Sequence, residues 1–211
     1  KSDLYVVPKF RTAFVNPFAE IPTVDILCSF YNRDGEPFES SPEYILRKAH
    51  KVFQETTGLQ METMGELEYY IIAEDEEAYS VPDQKGYHES RPFNKFTDYR
   101  VEAMQLIAQA GGMIKYGHSE VGNFTLDGKI YEQNEIEFLP TNIEDAADQL
   151  VIAKWIMRQL AYEYGVTLTF APKITVGKAG SGMHVHCKFT KDGKSVMIEN
   201  GELTDICKKA I

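Results

Sequence analysis

The sequence predicts a chain of mixed helix and strand, and three observations point that way. Stretches around Glu66–Tyr69 and Met183–Phe189 alternate side chains with the two-residue period of a strand. Other stretches place apolar residues three and four apart between capping residues and glycines, the pattern of a helix. Leu126-Asp127-Gly128-Lys129 and Lys191-Asp192-Gly193-Lys194 stand between strand-like runs, as hairpin turns do.

Taken in order, Leu4–Val7, Thr12–Val15 and Thr23–Cys28 read as short strands, separated by Asn16-Pro17-Phe18 and Ile21-Pro22. Asn32-Arg33-Asp34-Gly35 is a turn. Ser40-Ser41-Pro42-Glu43 opens a helix, with a serine cap, a first-turn proline and an early acidic residue. Its apolar stripe is Tyr44, Leu46, Ala49, Val52 and Phe53, and Gly58 ends it. Met64–Ile72 is a strand. Glu74–Asn94, with Pro82, Gly86 and Pro92, is a polar loop. A second helix starts at Asp98, packs through Val101, Met104, Ile107 and Ala108, and stops at Gly111-Gly112. Strands at His118–Val121 and Glu132–Phe138 flank the first hairpin turn.

Thr141-Asn142-Ile143-Glu144 reads as a capping box. The helix behind it, Asp145–Tyr164, is apolar nearly all round and is expected to be interior. Gly165 closes it, and Thr167–Lys173 returns as a strand. A turn rich in glycine (Gly177, Gly180, Gly182) leads into the Met183–Phe189 strand, and a last helix begins at Thr204.

Composition narrows the function. The chain has 211 residues, 43% hydrophobic and 26% charged, ordinary for a globular protein with a core. No run of about eighteen apolar residues suggests a membrane span. A net charge of −10 argues against a nucleic-acid binder, which carries a basic stripe. Cys28, Cys187 and Cys207 are too scattered for a zinc ribbon or disulfide framework, and suggest reduced thiols in the cytoplasm.

The candidate chemistry lies on three stretches. Glu66 and Glu68 are two apart in a strand and share a face, where burial is costly unless a cation neutralises them. His184, His186 and Lys188 share one face of their strand, opposite Met183, Val185 and Cys187. Glu120 follows His118, and Glu135 and Glu137 share a face, so spacing alone leaves Glu135, Glu137 and Glu132 open as a further ligand. Carboxylates with an imidazole suit Mg²⁺ or Mn²⁺ better than zinc. Such ions can bridge an acidic chain to ATP.

The string Gly180-Ser181-Gly182-Met183-His184-Val185-His186 closely resembles the signature of the glutamine synthetase family. Gly65-Glu66-Leu67-Glu68-Tyr69-Tyr70, His118-Ser119-Glu120-Val121, Gln133-Asn134-Glu135-Ile136 and Thr169-Phe170-Ala171-Pro172-Lys173 resemble further family segments in the same order. The chain departs from the family at Asn16, Ser41-Pro42-Glu43, Lys115, Ala179 and Lys188.

The resemblance implies an α+β fold: a curved, mainly antiparallel sheet with outer helices, incomplete at both ends. Residues 1–36 would be a remnant of an N-terminal β-grasp domain, and 37–211 the N-terminal part of the catalytic domain. It implies Glu68, Glu120 and Glu135 as ligands of the metal beside the substrate, and Glu66 and His184 as ligands of the metal beside ATP. Glu68, Glu120 and His184 would be catalytic. His186, Lys188 and Lys115 would serve the nucleotide, and the Gly180 backbone the amino acid.

The implied reaction is ATP-dependent ligation of ammonia to the side-chain carboxylate of glutamate through a γ-glutamyl phosphate. The resemblance further implies a cytoplasmic protein assembling as a ring-shaped homo-oligomer, with this fragment inactive alone. A relative using another amine, and a metal-binding pseudo-enzyme, are the alternatives. A zinc hydrolase built on His184-x-His186 ranks below them, because no third histidine or cysteine is well placed.

Overall fold

The computed structural model describes residues 3–76 and 78–211. Its elements in chain order are β1 (Tyr5–Pro8), a single 3-10 turn (Phe10–Thr12), β2 (Phe14–Val15), β3 (Val24–Asp25), β4 (Cys28–Tyr31), α1 (Pro42–Thr57), β5 (Gln60–Glu74) and α2 (Thr97–Gln109). There follow β6 (Ile114–Leu126), β7 (Lys129–Phe138), β8 (Thr141–Asn142), α3 (Ile143–Glu163), β9 (Thr167–Thr169), β10 (Met183–Lys191), β11 (Lys194–Ser195), β12 (Ile198–Glu199), β13 (Glu202–Leu203) and α4 (Asp205–Ala210). The fold is α+β, and the registered strand pairs are antiparallel. The main sheet has the order β11-β10-β5-β7-β6, with β8 and β9 also pairing to β5.

The chain divides into two compact units. One takes in the chain up to Met64 with Pro140–Asp148 and His186–Ile211; the other is Gly65–Leu139 with Gln149–Val185. In the first unit, β1 pairs with β4 and β2 with β3. Lys9 Nζ donates to both Asp148 oxygens at 2.6 Å, and Arg11 reaches Asp148 at 2.6 Å and also Asp145. His50 Nδ1 lies 2.8 Å from Glu144 Oε1, and the Phe53 and Phe189 rings pack tilted at 37° with centroids 5.3 Å apart.

Three expectations in this unit are corrected. Thr12–Val15 is not one strand, because Phe10–Thr12 turns, held by Thr12 N–H to Lys9 O at 2.8 Å. The α1 stripe is displaced: its one buried residue is His50, while Ala49 and Val52 are exposed. The cap of α3 is Asn142, whose Oδ1 accepts from the Glu144 and Asp145 amides at 3.0 and 3.2 Å; Thr141 pairs with Thr63 in the sheet instead.

The second unit holds the larger core. On β5, Leu67, Tyr69 and Ile71 fill one face, and on β7, Ile136 and Phe138 share that side. α2 lies against β6 and β7 and buries Tyr99, Arg100, Ala103 and Ile107, so the expected stripe is also shifted: Val101 is exposed. The Tyr99 hydroxyl donates to Met157 O at 2.6 Å, tying α2 to α3.

Helix α3 is not apolar-buried all round. Ile152, Ala153, Ile156, Met157 and Leu160 are buried, whereas Val151 is 56% and Tyr162 84% exposed. Both hairpin turns form as expected, with Asp127-Gly128 and Asp192-Gly193 in the left-handed region. A further hairpin, β12–β13, turns through Asn200-Gly201 in the same conformation.

Ile136→Ala removes a fully buried side chain and should cost about 3 kcal/mol, whereas Val151→Ala should stay within about 0.5 kcal/mol. Urea unfolding of the two variants measures the difference, and equal costs would contradict this assignment of the core.

Candidate metal centre

The face of the second unit's sheet opposite α2 carries acidic residues in register. Glu66 pairs with Glu137 and Glu68 with Glu135 across β5 and β7; Glu137 pairs with Tyr116 and Glu135 with His118 across β7 and β6. The two-residue period puts Glu66, Glu68, Glu135, Glu137 and His118 on one side. Glu132 falls on the other side. There it accepts from Asn94 Nδ2 at 2.6 Å and from the Lys95 and Phe96 amides at 2.7 and 3.1 Å, at the N-terminus of α2. Its carboxylate is a helix anchor.

Glu120 arrives by an irregularity. The β6–β7 register breaks between Ser119 and Asn123, so Glu120, Val121 and Gly122 bulge from the ladder. Gly122 fits because a Cβ there would lie 1.9 Å from the Tyr70 hydroxyl oxygen. Its amide donates to Gln133 Oε1 at 3.0 Å. Gln133 Nε2 in turn donates to Glu68 Oε2 at 2.9 Å, to Gly180 O at 2.9 Å and to Ser181 Oγ at 3.2 Å. One buried amide thus fixes the bulge, a carboxylate and the glycine-rich turn.

The turn closes on the carboxylates. Gly182 N–H donates to Glu68 Oε2 at 3.0 Å, and a Cβ on Gly182 would come within 3.2 Å of Glu68 Oε1. His184 Nδ1 lies 3.2 Å from Glu66 Oε2 and 3.6 Å from Glu68 Oε1. His118, Glu120 and Glu135 offer ligand atoms within 4.8 Å of one another, and so do Glu66, Glu135 and Glu137. Glu135 belongs to both groups.

The electrostatics separate Glu135 from Glu137. Burial first, then the negative charges of Glu120 and Glu66, push the Glu135 carboxyl up to about 8. Burial acts on Glu137 too, but hydrogen bonds from Lys115 and Tyr116 outweigh it and hold that carboxyl below its usual value. Lys115 Nζ sits 2.7 Å from Glu137 Oε2. Burial raises Glu68 as well, against the opposing Gly182 amide.

The donor set fits a divalent cation. It is rich in hard carboxylate oxygens, and its negative charge exceeds what the neighbouring side chains neutralise.

The remaining sequence-predicted residues are placed as follows. Gly180 lies in the turn with its carbonyl accepting from Gln133. His186 follows His184 by two along β10, within the first unit, where Lys188 Nζ pairs with Glu62 Oε2 at 2.8 Å. Sequence reasoning passed over Gln133 and His118. The signals were present in Gln133-Asn134-Glu135 and His118-Ser119-Glu120, two residues from carboxylates already singled out.

The profile of the glutamine synthetase catalytic domain family matches residues 39–211, and the chain belongs to this family. Glutamine synthetase of Methanococcus voltae is 30% identical over 98% of this chain and 46% of its own length. The 3-hydroxylaminophenol mutase of Cupriavidus pinatubonensis is 29% identical over 95% of the chain and 48% of its own. Among solved structures, Plasmodium falciparum glutamine synthetase superposes with a TM-score of 0.82 at 20% identity, covering 94% of this chain and 43% of that one. The chain thus spans a little under half the length of these relatives.

A carboxyl whose folded pKa is raised binds its proton more tightly when folded. Its stabilising contribution is complete below about 4.5 and is lost as pH rises through about 8. In chelator, the melting temperature of the unmodified chain should therefore fall relative to Glu135→Gln between pH about 5 and about 9. Excess Mn²⁺ should reverse the fall. A gap between the two proteins that does not change with pH would contradict the assignment.

Proposed function

We propose that the chain forms the first part of the catalytic domain of a glutamate–ammonia ligase that consumes ATP. The observation that carries this reading is the meeting of Glu66, Glu68, Glu120, Glu135 and His184 on one sheet face of a glutamine synthetase-family domain. Glu68, Glu120 and Glu135 hold the ion beside the substrate, and Glu66 and His184 the ion beside the nucleotide. Glu135 is preferred to Glu137 for that role because Lys115 already neutralises Glu137. Mg²⁺ or Mn²⁺, when bound, neutralises phosphate charge and positions the terminal phosphoryl group.

The chain's own residues then do the positioning. Gln133 and the Gly182 amide lock Glu68, and the Gly180 turn they anchor receives the amino-acid substrate. In the proposed reaction the glutamate side-chain carboxylate attacks the γ-phosphorus of ATP and ADP leaves. Ammonia then attacks the acyl carbon of γ-glutamyl phosphate and displaces phosphate, losing a proton. His186, Lys188 and Lys115 are proposed for the nucleotide, an ammonium being a ready phosphate partner. The domain division at residue 36, a cytoplasmic location and a ring-shaped homo-oligomer belong to the same proposal. Among the described residues no helix is long and apolar enough to cross a membrane.

A second reading rests on the departures Ala179 and Lys115 and on the kinship with a mutase: a family member acting on another amine or another substrate. The test is phosphate release by the protein at its natural length. Release should require ATP, glutamate and ammonia together, with the 211-residue chain alone showing little or none. Release supported by a different amine but not by ammonia would favour the second reading. No dependence on any amine would overturn the ligase.

A further inference from the structure

His118 is held more tightly than a bystander needs to be. It is 8% exposed. Its ring stacks on His88 at 4.5 Å and 20° and on Tyr116 at 5.6 Å and 28°, with Tyr87 edge-on at 5.5 Å. His88 is brought there by a main-chain bond from its amide to Ser119 O at 3.1 Å, and it adopts a left-handed φ of 56°. These contacts fix the plane of the imidazole.

A further contact fixes which nitrogen faces the site. Nδ1 lies 3.0 Å from Ser119 O, and a carbonyl oxygen can only accept, so Nδ1 carries a proton; Glu120 Oε1, 3.8 Å away, lies on this same side of the ring. Nε2 is then directed at carboxylate oxygens, 3.4 Å from Glu135 Oε2 and 3.9 Å from Glu137 Oε1. A nitrogen lone pair aimed at carboxylates is repulsive unless a positive particle lies between them. That particle is either a second ring proton or a metal ion. A backbone carbonyl holding the far ring nitrogen is the arrangement that orients metal-binding histidines.

We infer that His118 Nε2 is a further ligand at the cation position of Glu135, making that position select Mn²⁺ over Mg²⁺. The inference rests on the metal-binding reading given under Proposed function and deepens it by choosing between the two ions. Mg²⁺ keeps to oxygen donors and sheds water reluctantly, so a nitrogen gains it little. A transition ion accepts imidazole readily. His118 would therefore contribute to affinity for one ion and hardly to the other, which a structural role would not do.

The test uses the unmodified chain and His118→Gln, with Mn²⁺ binding read by electron paramagnetic resonance and Mg²⁺ by competition. The variant should bind Mn²⁺ about tenfold more weakly while its Mg²⁺ affinity stays within a factor of about two. A second measurement does not depend on how His118→Gln folds. His184 has a largely exposed side chain, so His184→Gln leaves His118 as the imidazole of the cluster. Spin-echo spectra of Mn²⁺ on that variant should still show nitrogen modulation. Equal losses for both ions, an unchanged Mn²⁺ affinity, or no nitrogen modulation would overturn the inference while leaving the metal centre standing. No Mn²⁺ binding by the unmodified chain would overturn both.

Discussion

The burial of mutually repelling carboxylates on one face of an antiparallel sheet is the constraint on which this structure turns. Glu135 feels it most: burial first, then the charges of Glu120 and Glu66, push its carboxyl up to about 8, and in the sheet it pairs with Glu68 on β5 and His118 on β6. Such a group destabilises the fold at neutral pH unless a cation joins it. The surrounding residues are arranged to hold the oxygens in place rather than to relieve the charge. Gln133 and the Gly182 amide pin Glu68, and the bulge at Glu120–Gly122 swings one more carboxylate into the group. Lys115 relieves Glu137 only.

The opposite face supplies the stability this requires. Leu67, Tyr69, Ile71, Ile136 and Phe138 alternate with the acidic residues along the same strands, so one pair of strands carries both the core and the site. Glu132 and Arg100 Nη1 on that inner face are bonded locally, whereas the buried Tyr69 hydroxyl and Arg100 Nε have no hydrogen-bond partner among the described residues. Glu132 takes up two free amides at the start of α2, and Arg100 bonds Asn94 and Asn134. A slip of one residue between β5 and β7 would exchange the two faces, so the register that builds the core also builds the site.

Much of this was legible in the sequence. The Glu66/Glu68 spacing, the Asp-Gly turns and the glycine-rich approach to His184 each follow a local rule, and each takes the form its rule requires. What local rules missed depends on partners far along the chain. The α1 and α2 stripes were misplaced because His50 and Arg100, polar by type, are buried through Glu144 and Asn134. The cap of α3 shifted to Asn142 because the β5 edge claims Thr141. Val151 and Tyr162 look like core by residue type, yet they lie on the side of α3 that faces away from the buried residues. Glu132, Glu135 and Glu137 could not be ranked by spacing; the α2 amides and Lys115 rank them. The Asn200-Gly201 hairpin is a miss of a different kind, since its turn signal is local and strong.

The most direct measurement of the central claim is anomalous scattering from crystals of this chain soaked in Mn²⁺. The account predicts a peak within coordinating distance of the Glu135 carboxylate, shared with Glu120 or Glu66. A fully occupied peak elsewhere, with the Glu135 side chain bonded only to protein, would contradict it.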